Sequence, residues 1–366
     1  MARLFGRTYT KSELIARVGD VSQVGGVRHI ELSDGVERGV RAIEFRTGSG
    51  LDFTVLVDRG FDISTATFNG RPLMWRSSTQ DVSPTYFEEP GYGWLRSFYG
   101  GLLVTCGLTY AGAPCIDGGK ELGLHGRISN LPAFSVSADG AWEDDEYVMW
   151  ASGKVRETTV FGENLELKRC ITARLGEPKI WILDQVSNLG YMETPHMILY
   201  HINIGFPIVD NGSRLIAPVK SSLPRDADAE IEKERFAEFT DPVPGFRERV
   251  YYLDMVEDED GYVTVALVNP SLNTEEVFGV YVKYLKRELP KFSEWKMTAE
   301  ATYVVGLEPG NCWVEGRVKE RERGTLQTLK PGETRQYHLE IGVISSREEI
   351  IAIEEVVRKV LDRVEK

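Results

Sequence analysis

The sequence predicts an all-β protein, built as a large, distorted antiparallel β-sandwich with a short N-terminal helix and an amphipathic C-terminal helix. Three observations support this prediction: alternating apolar residues fill most of the chain, turn signals recur at short intervals, and helical periodicity is confined to the two ends. A chain with so few internal helices does not fit a βαβ architecture. We expect one domain over residues 1–366, with a helical lead-in at 1–20 and a closing helix at 346–366.

The strand predictions rest on period-two patterns that follow turn signals. Residues 262–268 alternate in this way after the acidic turn 258–261, and the same alternation recurs at Val280, Val282 and Tyr284. Dipeptides of the type that closes hairpins or loops occur at Asn69-Gly70, Asp139-Gly140 and Asn211-Gly212. The highly charged stretch 225–238 is expected to be a long excursion between two strands.

Both helix predictions rest on capping boxes. Thr10 has Glu13 three residues later, and Gly19 follows as a stop signal. Ser346 and Glu349 form the second box, and a helical apolar stripe follows at Ile350, Ile353, Val357, Val360, Leu361 and Val364. Such a stripe usually packs on the body of its own protein, although binding to a partner remains open.

Composition narrows the classes of function. The chain has 366 residues, 42% of them hydrophobic, and a net charge of -13, so no basic surface for nucleic acid or anionic membrane is expected. The four cysteines show no CxxC spacing, and neither a signal peptide nor an apolar run long enough to span a membrane is visible. We therefore expect a cytoplasmic protein that binds neither nucleic acid nor membrane. Its oligomeric state stays open, a homodimer included.

Two of the five histidines lie in unusual surroundings. His125 is flanked by glycines in the segment 123–127, which would leave room for a ligand. His201 interrupts an apolar strand together with Asn203, and residues two apart on a strand share a face. A buried, hydrogen-bonded structural role is the alternative for either histidine. His196 is expected on the opposite face, and no spacing of ligands suggests a metal site.

Other candidate residues follow from local chemistry. Glu308 ends an apolar strand before Pro309 and Gly310, where partial burial raises the pKa of a carboxyl group; an exposed strand-end glutamate is the alternative. Trp295 and Lys296 would stack on a sugar ring and bind its oxygens. Further aromatic platforms, each of which would otherwise serve as core, are Trp75, Trp94, Phe98 and Tyr99. Arg59 between Asp58 and Gly60 would act as a donor fork or brace a turn.

Taken together, these segments resemble the aldose 1-epimerase (galactose mutarotase-like) superfamily, in particular a branch that has no assigned function. The motifs that carry the resemblance stand in the superfamily's order along residues 25 to 345: Leu124-His125-Gly126, the strand 184–188 that leads to Pro195 and Tyr200-His201-Ile202-Asn203, and Leu307-Glu308-Pro309. Each motif is weak alone, and the ordered set is more specific.

The resemblance implies a galactose mutarotase-like supersandwich with a sugar cleft on one face and no cofactor. It implies His201 as general acid, Glu308 as general base and His125 as a sugar-binding histidine, with Arg59 matching an arginine near the start. The aspartate that commonly binds the sugar has no clear counterpart; the region where it is expected holds Asp241, Asp254 and the segment 294–296.

Interconversion of sugar anomers is the function that this set of residues favours, because it needs one acid and one base. Three alternatives stay open. An isomerase or epimerase of a keto-sugar or uronate would use Arg59 or Lys296 near the substrate carboxylate. A non-catalytic carbohydrate-binding protein would need only the aromatic residues, and a hydrolase or lyase would need a second carboxylate facing Glu308.

Overall fold

The computed structural model describes residues 1–272 and 276–364. Within these residues the α-helices are α1 Lys11–Ile15, α2 Ala227–Glu230, α3 Arg317–Glu322 and α4 Arg347–Val364. Single turns of 3-10 helix lie at Val21–Gln23, Gly35–Glu37, Pro84–Tyr86, Gly93–Arg96, Ile128–Asn130 and Lys233–Arg235.

The rest of the ordered backbone is β-structure. In the described part of the chain the strands are β1 Ala2–Leu4, β2 Arg7–Tyr9, β3 Gly26–Glu31, β4 Arg41–Arg46, β5 Leu51–Leu56, β6 Asp62–Phe68, β7 Arg71–Pro72, β8 Val104–Leu108, β9 Cys115–Asp117, β10 Lys120–Leu122, β11 Phe134–Glu143, β12 Glu146–Thr158, β13 Asn164–Arg174, β14 Lys179–Asn188, β15 Thr194–Pro195, β16 Met197–Gly205, β17 Arg214–Ile216, β18 Val219–Pro224, β19 Arg249–Met255, β20 Tyr262–Asn269, β21 Phe278–Leu285, β22 Lys291–Ala299, β23 Thr302–Gly310, β24 Thr328–Leu329 and β25 Thr334–Ile344.

Three antiparallel sheets make up most of the molecule. An eight-stranded sheet has the order β11-β12-β13-β14-β25-β21-β20-β17, and a six-stranded sheet has the order β18-β19-β22-β23-β16-β8. A five-stranded sheet, β3 to β7, meets the six-stranded sheet through a bridge between Ile63 on β6 and Leu103, just before β8. The predicted all-β antiparallel sandwich is confirmed.

The main core lies between the eight-stranded and six-stranded sheets. Phe292 on β22 stacks on Tyr284 of β21, with ring centroids 6.0 Å apart, and Tyr200 on β16 donates a hydrogen bond of 2.7 Å to Asp184 on β14. Side chains alternate between the two faces of a strand. Phe292 and Tyr200 therefore mark the inner face of the six-stranded sheet, and their sequence neighbours lie on its outer face.

A buried ionic network ties the three sheets together. The guanidinium of Arg169 on β13 contacts Asp62 at 2.5 Å and Asp184 at 2.6 Å, with all three side chains fully buried. It also donates a hydrogen bond to Thr105 on β8. Breaking such a network by removing one partner leaves an uncompensated buried charge, so it holds the sheets in one arrangement.

The predicted strand and turn signals are mostly reproduced. Asn69-Gly70 separates β6 from β7, Asn211-Gly212 lies in the loop before β17, and residues 225–238 form the expected excursion between β18 and β19. The hairpin expected at Asp139-Gly140 is wrong, because both residues lie inside β11. A Cβ at Gly140 would lie 2.6 Å from the Tyr147 hydroxyl oxygen and 2.7 Å from the ring carbon that bears it, so this glycine makes room for a cross-strand aromatic residue.

Both capping boxes are present. Thr10 caps α1, which ends at Ile15 ahead of Gly19, and residues 2–9 form the β1–β2 hairpin, so the expected helical lead-in is partly strand. Ser346 and Glu349 cap α4 reciprocally, and Ile350, Val357 and Val360 are buried. Residues 365–366 of the expected 346–366 helix lie outside the described residues. No helix in the described part of the chain has the length and apolar character needed to cross a bilayer.

Candidate active site

Adjacent strands of the six-stranded sheet bring His201 and Glu308 together. The antiparallel register that pairs Ile202 of β16 with Leu307 of β23 sets His201 opposite Glu308. His201 Nε2 lies 3.1 Å from Glu308 Oε1, and the two side chains are 5% and 2% exposed. Glu308 is thus buried inside its strand, so the alternative of an exposed strand-end carboxylate is wrong.

The pair lies at the base of a pocket of about 490 Å³ on the outer face of this sheet. Trp94, Phe98 and Trp295 form its walls, together with the ring of His125. The ring centroids of Phe98 and Trp295 each lie 5.3 Å from that of His201, and His125 lies 5.8 Å from it. An apolar wall around a few polar groups is typical of a small-molecule site.

His125 reaches the pocket from a loop with a demanding backbone. Its φ of 57° is in the left-handed region, and its backbone N–H and C=O bond to Gly112 and Gly107. A Cβ at Gly126 would lie 2.4 Å from the Gly107 carbonyl oxygen, and one at Gly123 would lie 1.9 Å from that of Glu89. The flanking glycines therefore allow neighbouring backbone carbonyls to pack closely against this loop. The expectation that they make room for a ligand is wrong.

Gly306 provides the space that the catalytic candidates occupy. A Cβ built there would lie 2.5 Å from Glu308 Oε1, 3.1 Å from Trp295 Cβ and 3.2 Å from His201 Cε1. Any side chain at this position would push on the carboxylate. The missing side chain is therefore part of the site's geometry.

Polar atoms at the base of the pocket lack the hydrogen-bond partners that a structural histidine has. His196, on the opposite face of the strand region, has both ring nitrogens engaged, with Leu108 O at 3.1 Å and the Tyr337 hydroxyl at 2.7 Å. Within residues 1–272 and 276–364, His125 Nδ1, His201 Nδ1 and Glu308 Oε1 are buried without a hydrogen-bond partner. Buried polar groups normally have partners, so these atoms are available to a ligand.

Burial controls the charges of the pair. Burial, with a smaller contribution from the Glu248 carboxylate and an opposing one from Arg225, raises the pKa of the Glu308 carboxyl group to about 8. Burial lowers the pKa of His201 well below its usual range, and the neighbouring His125 adds to this effect. Burial also lowers the pKa of His125 to about 4.

One proton is therefore shared by Glu308 and His201 near neutral pH. Burial favours the uncharged arrangement, in which Glu308 carries the proton. Attraction between a carboxylate and an imidazolium 3.1 Å apart favours the opposite arrangement, in which His201 carries it. Both arrangements hold the same single proton.

Comparison with known proteins places this sequence in a family. Residues 37–343 match a family described as a domain of unknown function, DUF4432. The chain belongs to the DUF4432 family. Among proteins with curated descriptions, none matches this DUF4432 sequence.

Solved structures show what the DUF4432 chain resembles. A candidate aldose 1-epimerase from Klebsiella pneumoniae is 26% identical with a TM-score of 0.87, over 92% of this chain and 87% of the other. A galactose mutarotase-like protein from Clostridium acetobutylicum is 13% identical, with a TM-score of 0.61 over 88% and 100%. A galactose 1-epimerase from Lactobacillus acidophilus is 12% identical, with a TM-score of 0.54 over 88% and 99%. The resemblance to the aldose 1-epimerase superfamily is confirmed, and the last two likenesses concern the fold alone.

The structure does not bring Arg59 into the pocket. Its side chain is fully buried, and its three guanidinium nitrogens donate to the carbonyls of Ser129, Val82 and Ser97 at 2.8, 2.6 and 2.8 Å. The expectation that Arg59 contacts the sugar is therefore wrong, because its donors are already used by backbone carbonyls. The residue instead braces the loops that carry Trp94 and Phe98.

Asn203 and Lys296 are also directed elsewhere. Asn203 Nδ2 donates to the carbonyls of Gly100, Gly101 and His201, so it holds the loop at 100–101 against β16. Lys296 is on the opposite face of β22 from Trp295, and its Nζ donates to the carbonyls of Arg235 and Glu238. Neither lines the pocket. The expected role of Lys296 in substrate binding is wrong, because strand alternation directs its side chain to the opposite face. The expected role of Asn203 is wrong for another reason: it shares the face of His201, but its amide N–H groups are used by backbone carbonyls.

Of the predicted site residues, His125, His201, Trp295 and Glu308 share the pocket. Sequence reasoning missed Arg225, Glu248, Tyr92 and Lys319, which lie nearer its mouth. Arg225 begins the charged excursion that the sequence predicted. Glu248 accepts hydrogen bonds from Trp295 Nε1 and Arg225, both at 2.9 Å, and nothing in the sequence indicates these contacts. In the described part of this DUF4432 chain, no group of three or more His, Cys, Asp or Glu side chains could hold a metal ion.

Burial of Glu308 predicts a measurable cost to stability. Its pKa rises from 4.5 to about 8 on folding, so its protonated form stabilises the fold below pH 4.5, and this contribution is lost as the pH rises through about 8. We expect Glu308→Gln to raise the melting temperature by about 2 °C or more at pH 8.5. The gain should disappear at pH 4.

Thermal unfolding followed by circular dichroism at both pH values measures this effect. Glu355→Gln, at an exposed position on α4, controls for the loss of one negative charge. An equal gain from both variants, or a gain that does not change with pH, would contradict the assigned burial cost.

Proposed function

We propose that this chain interconverts the anomers of an aldose by general acid–base catalysis, with Glu308 as base and His201 as acid. The observation that carries the proposal is the 3.1 Å contact between His201 Nε2 and Glu308 Oε1 at the base of an aromatic pocket. The likeness to a candidate aldose 1-epimerase over 92% of this chain supports it. The reaction needs one acid and one base of this kind.

The shared proton gives a complete catalytic cycle. Transfer from Glu308 to His201 generates the carboxylate and the imidazolium. The carboxylate removes the proton of the anomeric hydroxyl while the imidazolium donates its proton to the ring oxygen, so that the C1–O5 bond breaks and the aldehyde forms. Rotation about C1–C2 and reversal of both transfers close the ring as the other anomer. No net proton is exchanged with solvent.

His125 and Trp295 would bind the sugar in this cycle. Burial keeps His125 neutral, so its unpartnered Nδ1 can exchange hydrogen bonds with a hydroxyl group. The Trp295 ring meets His201 edge-on at 72° and is held by the hydrogen bond from its Nε1 to Glu248. An aromatic face stacks on the apolar side of a sugar ring.

The structure favours this function over the alternatives. A uronate isomerase was expected to use Arg59 or Lys296, and neither lines the pocket. A glycosidase needs a second carboxylate facing the first, whereas Glu248 is half-exposed near the mouth and is engaged by Arg225 and Trp295. A binding module has no need of a buried carboxyl group with a raised pKa, since such a group costs stability.

Removal of either member of the pair should abolish most turnover while leaving sugar binding in place. We expect Glu308→Gln and His201→Asn each to reduce kcat by about 10²- to 10⁴-fold, because each proton transfer contributes in that range. Polarimetry, or exchange NMR where the sugar is scarce, measures anomer interconversion on a panel of aldoses.

The Glu355→Gln variant serves as the control for this experiment. Full turnover in Glu308→Gln would exclude the carboxylate as base. A His201→Asn variant that lost only thermal stability would show that the imidazole has a structural role.

The shared proton also predicts a pH profile with two limbs. Above about pH 8 the pair loses its proton, so kcat should fall as the pH rises through this value. Well below pH 6.5 both groups become protonated and no base remains, so kcat should fall there as well. Stopped-flow polarimetry between pH 4 and 10 measures both limbs, and a profile flat through pH 8 would contradict the burial-raised pKa of Glu308.

The space at Gly306 predicts a selective defect. A methyl group in Gly306→Ala would displace the Glu308 carboxylate, and a displacement of about 1 Å from reactive geometry costs roughly 10²-fold in rate. We expect kcat to fall by about that factor while the fold persists. Gly19→Ala, where nothing lies within 4 Å, is the matched control. Wild-type kcat in Gly306→Ala would show that the carboxylate position is not critical.

A further inference from the structure

The solvent exposure of the residues that line the pocket increases from its base to its mouth. His201 and Glu308 are buried, whereas Tyr92 and Leu95 at the mouth are 66% and 49% exposed. Both mouth residues belong to the 90–96 segment, which is tied to the His125 loop by the hydrogen bond from Leu124 N to Gly91 O. Large exposed apolar side chains that line a concave site commonly contact a ligand.

Sugar geometry relates this gradient to the reaction. The catalytic pair must contact the anomeric oxygen and the ring oxygen, so C1 and O5 of a pyranose lie at the base. C4 is across the ring from C1 and therefore points toward the mouth. A second ring attached at O4 would leave the base undisturbed and extend along the outer half of the 490 Å³ pocket.

The charges of the outer half favour an uncharged ring. In the described part of the lining, the charged residues outside the base are Arg225, Lys319, Glu248 and Glu315, two cations and two anions. Arg225 contacts Glu248 at 2.9 Å, Lys319 contacts Glu322 at 2.8 Å, and Glu315 contacts Arg323. Paired charges of this kind bind hydroxyl groups, but they provide no net charge that would attract a phosphate or carboxylate.

We infer that the outer half, with Tyr92 as its platform, is a second subsite that binds an uncharged sugar ring linked to the reducing ring at the base. The substrate class is then the reducing end of a neutral disaccharide or longer oligosaccharide. This inference rests on the proposed anomer interconversion for the placement of the reducing ring. The aromatic face of Tyr92 would stack on the second ring, as aromatic residues do on apolar surfaces.

Replacement of Tyr92 should affect disaccharides and spare monosaccharides. For wild-type protein we expect a lower KM for maltose, cellobiose or lactose than for glucose or galactose. Tyr92→Ala should raise the KM for the preferred disaccharide by roughly two- to tenfold, the range expected for one aromatic contact, with kcat unchanged. Kinetics on glucose and galactose should stay at wild-type values. Tyr191→Ala, at a side chain that is 99% exposed outside the pocket, is the matched control.

Binding measured separately from turnover distinguishes the two claims. Saturation-transfer NMR with Glu308→Gln, alone and combined with Tyr92→Ala, reports disaccharide and monosaccharide binding. Disaccharide binding that depends on Tyr92, without turnover by wild-type protein, would support the subsite and overturn the function. Turnover with equal KM for both sugar classes, or equal effects of Tyr92→Ala on both, would overturn the subsite alone. Absence of binding by any of these sugars would overturn both.

Discussion

The pairing of β16 with β23 is the constraint on which the rest of the site depends. It sets an imidazole and a carboxyl group from distant parts of the chain opposite each other at 3.1 Å, and Gly306 leaves the space that they occupy. Because a strand register cannot slip by one residue without turning every side chain to the other face, this contact is defined by the whole sheet. The shared proton and its burial-shifted pKa values follow from that contact.

Two buried arginines outside the pocket hold the elements that carry its walls. Arg59 uses all its donors on the loops that carry the aromatic wall, and Arg169 joins the three sheets through Asp62 and Asp184. These groups touch no part of the pocket. They hold its walls rigid, which is what a site needs when its reactive groups must stay within hydrogen-bond reach of a substrate.

The two faces of β22 show how one strand serves both purposes. Trp295 faces the pocket, whereas Glu294 and Lys296 face the opposite way, toward the interior and the 225–238 excursion. Burial raises the pKa of Glu294 to about 8 and lowers that of Lys296. Lys296 holds two carbonyls of the excursion, and the same excursion begins with Arg225 at the pocket mouth. Lys296 thus anchors the excursion from the inner face of the sheet, while Trp295 lines the pocket on the outer face.

The sequence by itself determined the antiparallel sandwich, both capping boxes and the set of His125, His201, Trp295 and Glu308, because alternation, capping and the order of motifs can be read along the chain.

Only the tertiary structure decided which groups Arg59, Asn203 and Lys296 contact. Whether a polar side chain meets a ligand or a carbonyl depends on segments far away in the chain. Asp139-Gly140 is a similar case, because pairing with β12 and the ring of Tyr147 override its turn propensity. Tyr92 and Glu248 carry no local signal, and their place at the mouth arises from how loops from different sheets converge.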